Sequence, residues 1–153
     1  MIQEFLRTVP LFARLDDEEL TQILLVTLVK RYPAQAQILT EGEPGGRLHV
    51  IHEGEVRISK LVPGLGEEAL SILGAGEFFG EVEFFDGSPA SAHALAHKDC
   101  EILSIPHGEM RALIERQPAL AVKFFWAFGR TLASRLRETD QRMASLLAIS
   151  RAF

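Results

Sequence analysis

Two glutamates stand two positions apart directly behind a glycine in the stretch GEFFGEVEFFDGSPASAHALA, Gly76 to Ala96. A glycine at position 80 lets the backbone come close to a bound group, and a short helix starting after it aims N–H groups at an anion. Yet the same 21 residues hold Glu81 and Glu83 and not one Lys or Arg. The loop has an anion-binding shape with the wrong charge. Paired carboxylates could instead serve general acid–base catalysis. No Ser–His pair or metal cluster accompanies them in the motif, so no catalytic residue is assigned and the chain is read as a non-enzyme.

Other reactive side chains lead less far. His93 and His97, four apart in an expected strand, face one side with Cys100 nearby. Imidazole and thiolate are haem and metal ligands, but strand histidines are more often half-buried surface residues, and no metal ligand is assigned. His49 and His52, three apart, point to opposite strand faces and cannot chelate together. With a single cysteine, an internal disulfide framework is excluded, as is an iron–sulfur cluster held by several cysteines of one chain. Phe78, Phe79, Phe84 and Phe85 are expected to plug a β-core, and Trp126 to be a core or dimer contact.

The elements that must position these groups follow from the pattern. A length of 153 residues with 47% apolar and 24% charged residues suits one globular domain with a real core. Asp16 or Asp17 can cap a helix carrying Leu20, Ile23, Leu24, Thr27 and Leu28 at helical spacing. From Tyr32 to Pro106 short apolar pieces are cut by glycines: 48–54, 55–62, 67–73, 91–96 and 100–106. Val56, Ile58 and Lys60 alternate onto one face, and PGLG at 63–66 is a turn. Strands of that length at near-regular spacing predict an antiparallel roll or barrel.

After Pro106 the pattern is helical again. HGEMRALIERQP forms one short helix, and Pro118 opens a second at its first turn, running to about Leu147. At 1.5 Å per residue that is about 45 Å, longer than a roll of this size can cover. Phe125, Gly129, Leu132, Leu136, Thr139, Met143, Leu146 and Ser150 step four-three along it. Such a heptad seam predicts a homodimer through residues 125–150.

Charge and the termini bound the partners. Net charge is −5, but residues 1–117 carry 10 basic and 19 acidic groups, whereas 118–153 carry 6 and 2. The basic tail reads as a solvated helix face, with no sequence-specific nucleic-acid binding expected. The longest apolar run is too short to span a bilayer and the N-terminus shows no signal-peptide pattern, so no membrane association and a cytoplasmic location are expected.

ILTEGEPGGRLHVIHEGEVRISK (38–60) resembles the first half of the cyclic-nucleotide-binding domain, and GEFFGEVEFF…SPASA resembles that family's phosphate-binding cassette. Gly42, Gly54, Gly80, Glu81 and Ala92 stand where the family pattern asks for them. The element order is similar to the sensor half of catabolite-activator and fumarate–nitrate regulators. The resemblance implies an α+β, mainly β fold: an eight-stranded antiparallel β-roll with an N-terminal helix (1–117) and a long dimerisation helix (118–153). It also implies that Glu81 accepts from a ribose hydroxyl and that Ser91 and the Ala92 N–H hold the phosphate. Ile58, Leu70 and Ser71 would line the pocket, with Phe79, Gly80 and Val82 beside the cassette and Arg135 and Thr139 reaching in from the long helix.

Two positions depart from the family pattern. Pro-Arg-Ser/Thr-Ala is replaced by Pro89-Ala90-Ser91-Ala92, so the guanidinium that pairs with the cyclic phosphate is missing, and Glu83 replaces a small residue. Losing a buried charge partner costs about 2–5 kcal/mol, roughly 30- to several-thousand-fold in affinity. Arg135 could restore the charge or pair with Glu81 or Glu83, the salt bridge being favoured. The expectation is a regulatory module in which cAMP or cGMP, the candidate ligands, binds weakly or not at all, signalling to a partner the sequence does not identify. Two alternatives remain: the sensor half of a DNA-binding regulator cut before its helix-turn-helix, and a scaffold that kept the fold and lost the ligand. The stop after a plausible helix end slightly favours a free-standing module.

Overall fold

The computed structural model describes residues 1–152; position 153, the last of the expected helical segment, lies outside them. A first helix, α1 (Ile2–Thr8), precedes α2 (Asp17–Val26). Asp16 caps α2 through a reciprocal box: its carboxylate accepts from the Glu19 N–H at 2.8 Å, and Glu19 accepts from the Asp16 N–H at 2.9 Å. The helix stops at Val26, two residues before the end of the helical spacing in the sequence. Thr27 is already extended, and Leu28 pairs with Ser104 as the first residue of β1 (Leu28–Tyr32). Strand pairing outweighs a spacing that Leu24, Thr27 and Leu28 also satisfy.

Seven further strands follow: β2 (Gln37–Leu39), β3 (Arg47–Glu53), β4 (Val56–Val62), β5 (Gly66–Leu73), β6 (Phe78–Phe79), β7 (His93–Ala96) and β8 (Cys100–Pro106). They form two four-stranded antiparallel sheets, ordered β1-β8-β3-β6 and β2-β7-β4-β5. The helix α3 (Glu81–Asp86) leaves β6 directly, and α4 (His107–Arg116) and α5 (Pro118–Ala152) complete the chain. At 35 residues α5 continues beyond Leu147. The architecture is the α+β, mainly β roll with a long C-terminal helix.

The first sheet is covered on both faces. Leu48 and Val50 of β3 and Leu103 and Ile105 of β8 pack outward on Leu20, Ile23, Met110, Leu113, Phe124 and Phe128 from the helices. Ile51 and Ile102 point the other way, against Val56, Ala94 and Ala96 of the second sheet. Burial on both sides is why these two strands read as nearly unbroken apolar runs. Lys123 donates to Glu19 at 2.7 Å and ties the start of α5 to α2.

The four phenylalanines do not all plug the roll. Phe79 does, but Phe78 and Phe84 belong to the core between sheet and helices. Phe85 is 44% exposed and packs edge-on against Phe128. Trp126 is 66% exposed and so is no core residue of the single chain. A bulge between Ile58 and Ser59 breaks the alternation expected for β4: Ser59 is buried and Lys60 exposed.

Candidate functional site

Gly80 joins β6 to α3 in the left-handed region, φ 81°, and a Cβ there would lie 2.6 Å from the Arg47 carbonyl oxygen. Only glycine satisfies both conditions without strain. This turn carries Glu81, Val82 and Glu83 into one wall of a cavity of about 770 Å³ between the second sheet and α5. Ile58, Leu70 and Ser71 line it from β4 and β5, Phe79 and Gly80 from the turn, Ser91 and Ala92 from the loop before β7. Arg135 and Thr139 line it from α5. The structure thus brings together all of the sequence-predicted site residues except Ala90, which is buried beside the cavity rather than lining it.

The polar groups of this wall are already engaged with one another. Arg135 Nη1 donates to Glu81 Oε1 at 2.8 Å and Nη2 to the Phe78 carbonyl at 2.7 Å. Its guanidinium carbon lies 4.2 Å from the centre of the Phe78 ring, so charge, hydrogen bonds and ring stacking fix one side chain. Glu83, only 3% exposed, accepts the Ser91 N–H on Oε1 at 2.6 Å. Sequence reasoning found Arg135 and a glutamate partner but left Glu81 and Glu83 open, and the structure pairs it with Glu81. It missed that Glu83 folds back onto Ser91, where Gly45 makes room for it: a Cβ at Gly45 would lie 2.9 Å from the Glu83 Cβ.

A cyclic phosphate does not fit this arrangement as it stands. Position 90 supplies no guanidinium, the Ser91 N–H is donated to a carboxylate, and Arg135 is spent on Glu81 and Phe78. Nor are Glu81 and Glu83 a free acid–base pair, since each has its own donor.

Behind the Gly80 turn, His49 stacks on Phe79 with ring centres 4.8 Å apart. Its Nδ1 is buried without a hydrogen-bond partner. Burial first, then the nearby Lys30 and Arg47 charges, push its pKa down to about 4, so the ring is neutral. His52 faces the helical side and packs on Phe5. β7 ends at Ala96, so His97 lies outside the strand expected to align it with His93. His93 Nδ1 accepts the Glu41 N–H at 3.1 Å. Burial pushes the Cys100 thiol up, and among the described residues no group of three His, Cys, Asp or Glu is placed to hold a metal ion. Among the described residues no helix is long and apolar enough to cross a membrane.

A two-sheet roll with a glycine-led loop and short helix on its pocket, and a long helix reaching into that pocket, defines a β-roll fold with a cassette-lined pocket. The model of the cyclic nucleotide-binding domain matches residues 29–117. The chain is 36% identical over 131 residues to the cyclic AMP receptor protein of Thermus thermophilus, covering 86% of this chain and 59% of that one. It is 32% identical over 116 residues to a CRP-like cAMP-activated global transcriptional regulator of Mycobacterium tuberculosis, covering 76% and 50%. Among solved structures, a cyclic nucleotide-binding domain from Methylobacillus flagellatus superposes with TM-score 0.83 at 30% identity, covering 92% of this chain and 79% of that one. The chain belongs to the cyclic nucleotide-binding domain family. It spans about half the length of the curated relatives it matches.

Proposed function

We propose that the chain is a non-enzymatic regulatory module whose pocket state is conveyed to a partner through α5. The observation that carries this reading is the pair of hydrogen bonds that Arg135 donates to Glu81 and to the Phe78 carbonyl. This side chain ties the long helix to the cassette by directed bonds, so a change in the cassette must be felt by the helix. Residues 1–117 act as the sensor roll and 118–153 as the arm, which pairs with a second copy through 125–150. Support for that pairing lies in the seam: Leu132, Leu136, Met143 and Leu146 are exposed along one line of the single chain.

Cyclic nucleotide binding in this reading is weak. Titration calorimetry with cAMP and cGMP should give dissociation constants well above about 1 μM. Low-micromolar binding overturns it. Installing Ala90→Arg together with Glu83→Ala should raise cAMP affinity by roughly 30-fold or more, the worth of a restored buried charge partner. A second reading, the sensor half of a DNA-binding regulator, draws support from the Mycobacterium tuberculosis relative being a global transcriptional regulator about twice the matched length.

A further inference from the structure

We propose that Glu83 is a built-in occupant of the cassette's anion position, so that the pocket selects an uncharged nucleoside-like ligand over any phosphate ester. This rests on the reading above, and concerns what the same cavity prefers. Glu83 is not a surface carboxylate that drifted inward. It is buried, its Oε1 holds the Ser91 N–H at 2.6 Å, and it lines the cavity wall itself. Its seat is prepared by Gly45, where any side chain would collide with the Glu83 stem. No salt bridge reaches Glu83 among the described residues, because the neighbouring Arg135 is committed to Glu81. An incoming phosphate would therefore meet an uncompensated carboxylate at short range in a partly water-free site, and would have to displace it from its donor.

An uncharged ligand meets no such barrier. Away from Glu83 the cavity offers apolar surface from Leu39, Ile58, Leu70 and Leu73 and hydroxyls from Ser71 and Thr139, while its charged side chains Glu138 and Arg142 come from the α5 side. That combination suits a flat heterocycle carrying a polyol, with its orientation set by a few polar groups. Adenosine and cAMP differ by the phosphate diester alone, and so isolate the role of Glu83.

The test is calorimetric titration of the full chain with both compounds, for the wild type and for Glu83→Gln. Glutamine keeps the shape and an acceptor for Ser91 while removing the charge. In the wild type adenosine should bind at least about tenfold more tightly than cAMP. Glu83→Gln should raise cAMP affinity about tenfold or more and change adenosine by less than about threefold. The wild-type ratio stands even if the variant fails to fold. Wild-type cAMP binding as tight as adenosine overturns the inference, and at low-micromolar strength it overturns the regulatory reading's weak binding as well. Neither compound binding at millimolar concentration overturns the inference alone. So does an unchanged ratio in a folded Glu83→Gln protein.

Discussion

The cassette and the outer half of α5 satisfy their side chains in opposite ways. In the cassette, Arg135, Glu81, Glu83 and the Ser91 N–H are matched to one another inside one chain. Along α5 beyond Gly129, Leu132, Leu136, Met143 and Leu146 have no such cover, Leu136 being 64% exposed and Leu146 66%. Buried polar groups without partners are costly, so the cassette had to find them internally. Exposed apolar groups cost only what contact with another surface would recover. The first region is closed upon itself, and the second is open to a partner.

The largest test of that contrast is aimed at the open region. Leu132→Glu combined with Leu136→Glu puts two carboxylates per chain into the proposed seam, opposite two on the second copy. Each buried, unpaired charge costs several kcal/mol, so association should weaken by more than about a thousandfold. Sedimentation should then report monomers with the circular dichroism of the roll retained. If molecular mass is unchanged, the seam is not the interface and the apolar line needs another explanation.

A smaller effect lies behind the closed region. His49 sits in the roll interior against Phe79, facing Lys30 and Arg47, with its pKa pushed from 6.5 down to about 4. The unfolded chain takes up a proton near 6.5 that the folded chain refuses until about 4. The stability this reflects is fully present above 6.5 and is lost as pH falls through that window, by about 3 kcal/mol. His49→Phe keeps the stacked ring without the proton. Denaturant unfolding at pH 7 and pH 4.5 should then show a much smaller difference than in the wild type. An identical pH dependence would remove His49 as its source.

The two regions also differ in how far the sequence reveals them. The four-three spacing along α5 was legible because it is local and needs no knowledge of what packs on it, whereas its pairing with a second copy is the proposal. The cassette was legible as far as its glycines, and Arg135 could be paired with a glutamate because the family resemblance brings that position of the long helix to the pocket. Glu83 could not be placed, since its partner is a backbone N–H eight residues on, brought back by the loop through Gly87. The same limit explains β1: Leu24, Thr27 and Leu28 fit a helix, and only the distant strand 100–106 decides that Leu28 begins a strand. Sorting Phe78 and Phe84 away from the roll interior likewise depends on α5 lying over the first sheet.

The smallest expected effect concerns a residue that bridges the two regions. Arg135 stands on α5 four residues before Thr139, yet its bonds are in the cassette. Removing it as Arg135→Ala leaves the Glu81 carboxylate and the Phe78 carbonyl without that donor. The Arg135 side chain is 30% exposed, so water recovers part of the loss, and about 1–2 kcal/mol of stability should disappear. Stability alone would not separate a tie from ordinary packing. A double-mutant cycle with Glu81→Gln should: coupling of about 1 kcal/mol is expected for a direct charge-assisted bond. Arg135→Lys should recover only part of it, because an ammonium cannot donate to both oxygens while lying flat over Phe78. Hydrogen exchange gives the mechanical reading. With Arg135 gone, amides of residues 131–139 should exchange faster while those of β3 and β8 keep their protection, because the helix is released and the double-sided core is not. If exchange along 131–139 is unchanged and the coupling is near zero, the cassette and the helix are neighbours without a link, and the closed region does not govern the open one.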